Sequence, residues 1–180
     1  MRIAGELRDG GEVEVISSPY DGSEVAEVAV ASAADMDDAI AAAATGFGES
    51  RRMPSHERAG ILSRTAELLG ANAVELAELM ARESGKPIRY CKAEVARAVV
   101  TFGLGADQAR TLGGEVMPID LEARAEGRLC YYTRVPRGPV AAISPFNFPL
   151  NLIAHKLSPA IAVGTTTVLK PPPQCPVTGH

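Results

Sequence analysis

The stretch from Gly138 to Lys170 leaves the chain few folds to choose from. Val140 to Ser144 is a short apolar run bounded by Pro139 and Pro145, the pattern of a buried strand. Pro149 suits the first turn of a helix, where its missing N–H is no loss. Leu150, Ile153, Ala154, Leu157 and Ile161 then recur at helical spacing, and Gly164 is a natural stop. Thr165 to Leu169 is β-branched and apolar, a second strand. A strand, helix and strand of this length require two parallel strands joined by a right-handed crossover.

In doubly wound sheets ligands bind beyond the carboxyl ends of the strands. Asn147 falls there after the first strand and Lys170 after the second. Asn147 lies between Phe146 and Phe148 and precedes Pro149, so its amide sits in a rigid turn and can serve a developing oxyanion. Lys170 can reach sugar hydroxyls or a phosphate. A plainer reading stays open: Asn147 caps the helix and Lys170 is a solvated strand end.

Upstream, Glu12 to Ser17 and Glu24 to Val30 alternate in polarity around the turn-forming Ser18-Pro19-Tyr20-Asp21-Gly22-Ser23, which predicts a β-hairpin. Ser32 to Phe47 reads as an Ala-rich helix with Ser32 as N-cap, ended by Gly46 and Gly48. The next helix starts at Pro54 or Ser55, breaks or kinks at Gly70, and stops at Gly85 and Pro87. Ile88 to Arg110 shows the clearest stripe, with Ile88, Cys91, Val95, Val99, Phe102 and Ala106 inward. Arg89, Lys92, Glu94 and Arg97 are expected on its solvated face. Gly113-Gly114 reads as a turn. Arg128 to Val135 is β-prone throughout and reads as an exposed or edge strand that needs protection or a partner. The prolines at 171–173 form a stiff loop toward a helix start near Pro176.

Net charge is −4 with no basic block, so nucleic acid is not an expected partner. No apolar run approaches the roughly 18 residues of a membrane span. The N-terminus lacks a secretory core, and a cytoplasmic location is expected. Cys91, Cys130 and Cys175 are odd in number and widely spaced, which argues for a reducing compartment and against a disulfide framework or zinc site. Cys91 is expected as a core thiol. His56, His155 and His180 are too scattered for a metal cluster, and His155 reads as a packing or surface residue.

Three segments together carry a resemblance: Ile-Ser-Pro-Phe-Asn-Phe-Pro at 143–149, His-Lys-Leu-Ser-Pro-Ala-Ile-Ala-Val-Gly at 155–164, and Val-Leu-Lys-Pro at 168–171. They resemble the aldehyde dehydrogenase superfamily. The likeness extends through Ser18 to Gly22, Glu83-Ser84-Gly85-Lys86-Pro87 and Arg134 to Gly138, nearly the whole chain. It implies an α/β fold, the N-terminal part of the aldehyde dehydrogenase fold: the start of a Rossmann-like parallel sheet plus small antiparallel oligomerisation strands. Residues 1–120 would hold the N-terminal hairpin and the helices of the cofactor domain. Residues 121–137 would form a projecting oligomerisation or linker strand. Residues 138–180 would be the first, incomplete β-α-β of the NAD(P)-binding domain.

The resemblance also implies chemistry: oxidation of an aldehyde with NAD or NADP, through a cysteine thiolate and a general-base glutamate. Asn147 stands where the family places its oxyanion donor. Ile143, Ser144, Pro145 and Phe146 would line the cofactor cleft, with Lys170 at the adenosine ribose beside Pro172 and Pro173. Pro173 stands where many NAD-preferring members carry a glutamate, so NADP should be tolerated at least as well as NAD. None of the three cysteines matches the family nucleophile, and the general base has no match. The chain alone is therefore expected to be inactive, acting with a complementing chain or as a homo-oligomer on a small aldehyde. An alternative is a non-catalytic module that pairs with a full-length relative. A free-standing nucleotide-binding domain is disfavoured, because no G-x-G-x-x-G occurs.

Overall fold

A computed structural model describes all 180 residues, Met1–His180. Two antiparallel pairs open the chain, β1 (Arg2–Ile3) with β2 (Glu6–Leu7) and β3 (Glu12–Ser17) with β4 (Glu24–Val30). The expected hairpin is present, with a register shift between Ile16 and Ser17. The β1–β2 pair was not foreseen; its two residues per strand are too short to show a period. Four helices follow: α1 (Ala33–Ser50), α2 (Ser55–Ala71), α3 (Ala73–Ser84) and α4 (Ile88–Thr111). Then come β5 (Glu115–Met117), a short 3-10 turn at Ala123–Ala125, and β6 (Cys130–Tyr132), which pairs antiparallel with β5. The chain closes with β7 (Val140–Ile143), α5 (Pro149–Ala162) and β8 (Thr167–Lys170). β7 and β8 are parallel, with Val140 opposite Thr167 and Ile143 opposite Lys170. The crossover unit forms as its sequence predicts.

Local chemistry explains most boundaries. Ser32 and Asp35 form a reciprocal capping box at the start of α1. Gly85 ends α3 in the left-handed region at φ 67°, where a side chain would be strained. Pro149 occupies the first turn of α5, as expected. The break between α2 and α3 falls at Asn72 rather than Gly70, and the Asn72 side chain donates to the Leu68 carbonyl.

Two glycines do not act as expected. Gly46 and Gly48 lie inside α1, which runs on to Ser50. A glycine inside a helix costs about 1 kcal/mol relative to alanine, which weakens a helix without stopping it. Gly46 faces Thr166, just before β8, where the Thr166 hydroxyl donates to the Ala43 carbonyl and an added Cβ would sit 3.7 Å from Thr166 Cγ2.

The core is helical. α4 packs against α2, α3 and α5, and Leu62, Met80, Val95, Phe102, Leu150 and Ala154 meet along it. Leu62 and Met80 are fully buried, each contributing about 1.5–3 kcal/mol of apolar burial. Cys91 is a core thiol, as expected. α4 and α5 meet closely at Gly105, where a Cβ would fall 2.0 Å from Ser158 Oγ; the Ser158 hydroxyl donates to the Thr101 carbonyl at 3.0 Å.

β7 departs from expectation. Its sequence predicts a buried strand, but Val140 and Ile143 are 43% and 67% exposed, and Ala142 alone within it is buried. The sheet has two strands, so neither outer edge is paired with a further strand. The strand read over Arg128 to Val135 shortens to Cys130–Tyr132. Its β5 partner went unforeseen because Gly113-Gly114 masked it. Gly114 is tightly packed there: a Cβ would meet Tyr132 O at 1.6 Å.

Candidate functional site

β7 and β8 end side by side, and the chain leaves both strands at the same edge of the sheet. Ser144 N donates to the Lys170 carbonyl at 3.1 Å, which ties the two strand ends together. Ser144 itself is buried, and its hydroxyl has no hydrogen-bond partner in the chain. Around it, Ile143, Pro145, Phe146, Asn147, Lys170 and Pro173 are exposed, while Pro172 is buried. The sequence-predicted residues are thus gathered at one end of one small sheet.

Asn147 does not cap α5. The N-cap position is Phe148, and no side chain of the turn closes the helix. A buried carboxylate from α4 does so instead. Glu94 Oε1 accepts from Leu150 N at 3.0 Å and from Asn151 N at 3.2 Å. Its other oxygen receives Lys86 Nζ at 2.8 Å. The same ammonium donates to the Asn147 carbonyl at 2.7 Å and lies 4.5 Å from the Phe148 ring centroid. Arg97 lies over the same ring at 5.3 Å.

Glu94 was expected on the solvated face of α4; its side chain is fully buried. The α5 amino terminus, rich in unpaired N–H groups, lies against that side of α4, and a carboxylate there is charge-complementary. A signal was present: Glu94 is three residues beyond Cys91 and adjacent to Val95, at the margin of the apolar stripe.

Glu83 plays a parallel part that the sequence reading missed. It is buried at the end of α3 and accepts from Val177 N at 2.6 Å, Thr178 N at 2.8 Å and the Thr178 hydroxyl. The helix start expected near Pro176 appears as one turn, with Gly179 N bonded to the Pro176 carbonyl. An acid at a helix carboxyl end opposes that helix's dipole, which was the available clue to an outside partner.

Burial disfavours the thiolate at both buried cysteines. Burial first, and Glu83 second, push the Cys175 thiol up to about 11. Burial likewise raises Cys91. Both stay protonated near neutrality, and the thiolate is the reactive form. No group of His, Cys, Asp and Glu side chains could hold a metal ion. No helix is long and apolar enough to cross a membrane.

Residues 7–180 match the aldehyde dehydrogenase family. A 3-sulfolactaldehyde dehydrogenase of Priestia aryabhattai is 37% identical over 177 residues, 98% of this chain and 37% of the relative. An aldehyde dehydrogenase of Physcomitrella patens, solved with its reaction product succinate, superposes with a TM-score of 0.94 at 37% identity, covering 98% of this chain and 37% of that one. An NADP-dependent glyceraldehyde-3-phosphate dehydrogenase of Bacillus halodurans, solved with NADP, gives 0.91 at 33% identity, with 98% and 38% covered. The chain therefore spans little more than a third of the length of these proteins.

Proposed function

This chain belongs to the aldehyde dehydrogenase family, and from that premise we propose that it carries the oxyanion donor and part of the NAD(P) site of an aldehyde oxidation. The observation that carries this reading is the exposed Asn147, held in a braced turn while the capping of α5 falls to Glu94. A side-chain amide left over from local structure and fixed beside a strand end is suited to meet negative charge as it develops on a carbonyl oxygen. The nucleophilic cysteine and general-base glutamate come from polypeptide outside these residues, and the substrate is a small aldehyde.

The strand ends fit the adenosine half of a dinucleotide. Lys170 presents a free-standing cation at the end of β8, Ile143 and Phe146 offer exposed apolar surface, and the unpartnered Ser144 hydroxyl lies behind them. Lys170 would hold the ribose hydroxyls or a phosphate on them, and Pro172 and Pro173 would stiffen the loop beneath. When bound, the nicotinamide supplies the hydride acceptor. The diphosphate would not rest on the α5 amino terminus, because Glu94 already fills it and would repel it. Pro173 places no carboxylate against a 2′-phosphate, so NADP would bind at least as well as NAD.

The site residues are tested by NADP(H) and NAD(H) calorimetry on the whole chain. Binding lost in Lys170→Ala supports the assignment; binding that survives in that variant sinks it. In the active dehydrogenase, Asn147→Ala should lower kcat about 100- to 1,000-fold. A second reading, a pairing module without chemistry of its own, draws on the β5–β6 sheet, where Val116 and Tyr131 are 71% and 65% exposed. Such a chain would join another subunit through β6 whether or not it bound a nucleotide.

A further inference from the structure

We propose that Lys86, braced by Glu94, is the positioning residue for Asn147. The proposal rests on the oxyanion reading above and concerns how that donor is held. Lys86 Nζ bridges two acceptors, the Glu94 carboxylate at 2.8 Å and the Asn147 carbonyl at 2.7 Å. Its position over the Phe148 ring adds a third contact to the same turn. Glu94 in turn grips the first N–H groups of α5 with its other oxygen. One ion pair therefore holds the α5 side of the turn at two points, the Asn147 carbonyl and the first N–H groups of α5.

Lys86 is itself well placed to act as a fixed point. It stands between Gly85, locked at the left-handed end of α3, and Pro87, the N-cap of α4. Its own N–H donates to Ser84 Oγ at 3.3 Å. The side chain is 19% exposed and Glu94 is fully buried, so water competes little for either charge. An ammonium suits this geometry better than a guanidinium, because it can serve two acceptors that do not share a plane. An oxyanion donor acts only when it is preorganised, and displacement by about 1 Å can cost about 100-fold in rate. Neither Lys86 nor Glu94 touches the reacting atoms; both act through the backbone of Asn147.

The first test is the NMR order parameter of the Asn147 and Phe148 N–H groups in the whole chain carrying Lys86→Met. A fall from about 0.85 to below about 0.6, with α2 and α4 unchanged, is expected. Unchanged values at the turn overturn the proposal. Should Lys86→Met fail to fold, Lys86→Arg keeps Glu94 paired and is read the same way. The second test uses the active dehydrogenase. Lys86→Met should lower kcat by up to about 100-fold with KM nearly unchanged, and the double variant with Asn147→Ala should be no slower than Asn147→Ala alone. Losses that multiply overturn the positioning role. If Asn147→Ala leaves kcat intact, the oxyanion reading fails by itself, and the order parameters still decide what Lys86 does.

Discussion

The helices and the sheets of this molecule are in different states of completion. α4 is wrapped by α2, α3 and α5, with Ala98, Phe102, Ala106 and Ala109 all buried along it. The four sheets have two strands each, and their faces are largely bare. Val13, Val15, Val116, Tyr131 and Ile143 are all more than half exposed. A helix satisfies its backbone internally and needs only one stripe covered. A strand needs a neighbour on each edge, and a two-stranded sheet alone is marginal. The helices thus form the platform that carries the site, and the sheets present surfaces suited to further chain or a second subunit.

That contrast can be broken by substitution, beginning where the largest change is expected. Glu94→Ala removes the α5 cap and leaves Lys86 without its partner, so a loss of about 3–5 kcal/mol is expected in chemical denaturation. Val13→Thr or Val116→Thr on the open sheets should stay within about 0.5 kcal/mol. If the two classes cost the same, the division between platform and open sheets is wrong.

Gly105→Ala comes next. It drives a methyl into Ser158 where α4 and α5 meet, at an expected cost of about 1–3 kcal/mol. Gly103, two residues away, has nothing within 4 Å of an added Cβ. Gly103→Ala should be neutral or stabilising by up to about 1 kcal/mol through helix propensity. Thermal melts of the pair measure packing against propensity on one helix.

Gly114→Ala sharpens the comparison from the other side. Its Cβ would strike Tyr132 O, so β5 and β6 should separate. Hydrogen exchange should quicken at residues 115–117 and 130–132 while α2 and α4 keep their protection. Global unfolding would show that the small sheet is coupled to the core after all.

The smallest effect is a pH dependence at the edge of the platform. The Ser32 hydroxyl and N–H hold the Asp35 carboxyl below its ordinary range. A carboxylate depressed in the folded state stabilises above its unfolded value and loses that contribution as pH falls through the folded one. Acid titration should therefore fray α1 first, and Asp35→Asn should remove that part of the slope. Circular dichroism from pH 5 downward would detect it; an identical acid profile in the variant would count against the cap.

What the sequence determined by itself was local. The strands and helix of the β-α-β unit, the β3–β4 hairpin, the capping box and the Gly85 stop follow from patterns and interactions local in sequence. Asn147 and Lys170 could be nominated because strand ends and turns are local features, and both residues are exposed. Tertiary structure decided the rest. Glu94 caps a helix 56 residues away and Glu83 a turn 94 residues away, so neither leaves a periodic trace. The exposure of β7, the placement of Gly46 inside α1 and the pairing of β5 with β6 depend equally on what lies opposite. Periodicity reports which face of an element is apolar. Which charge is buried, and which turn it holds, is set only when distant elements meet.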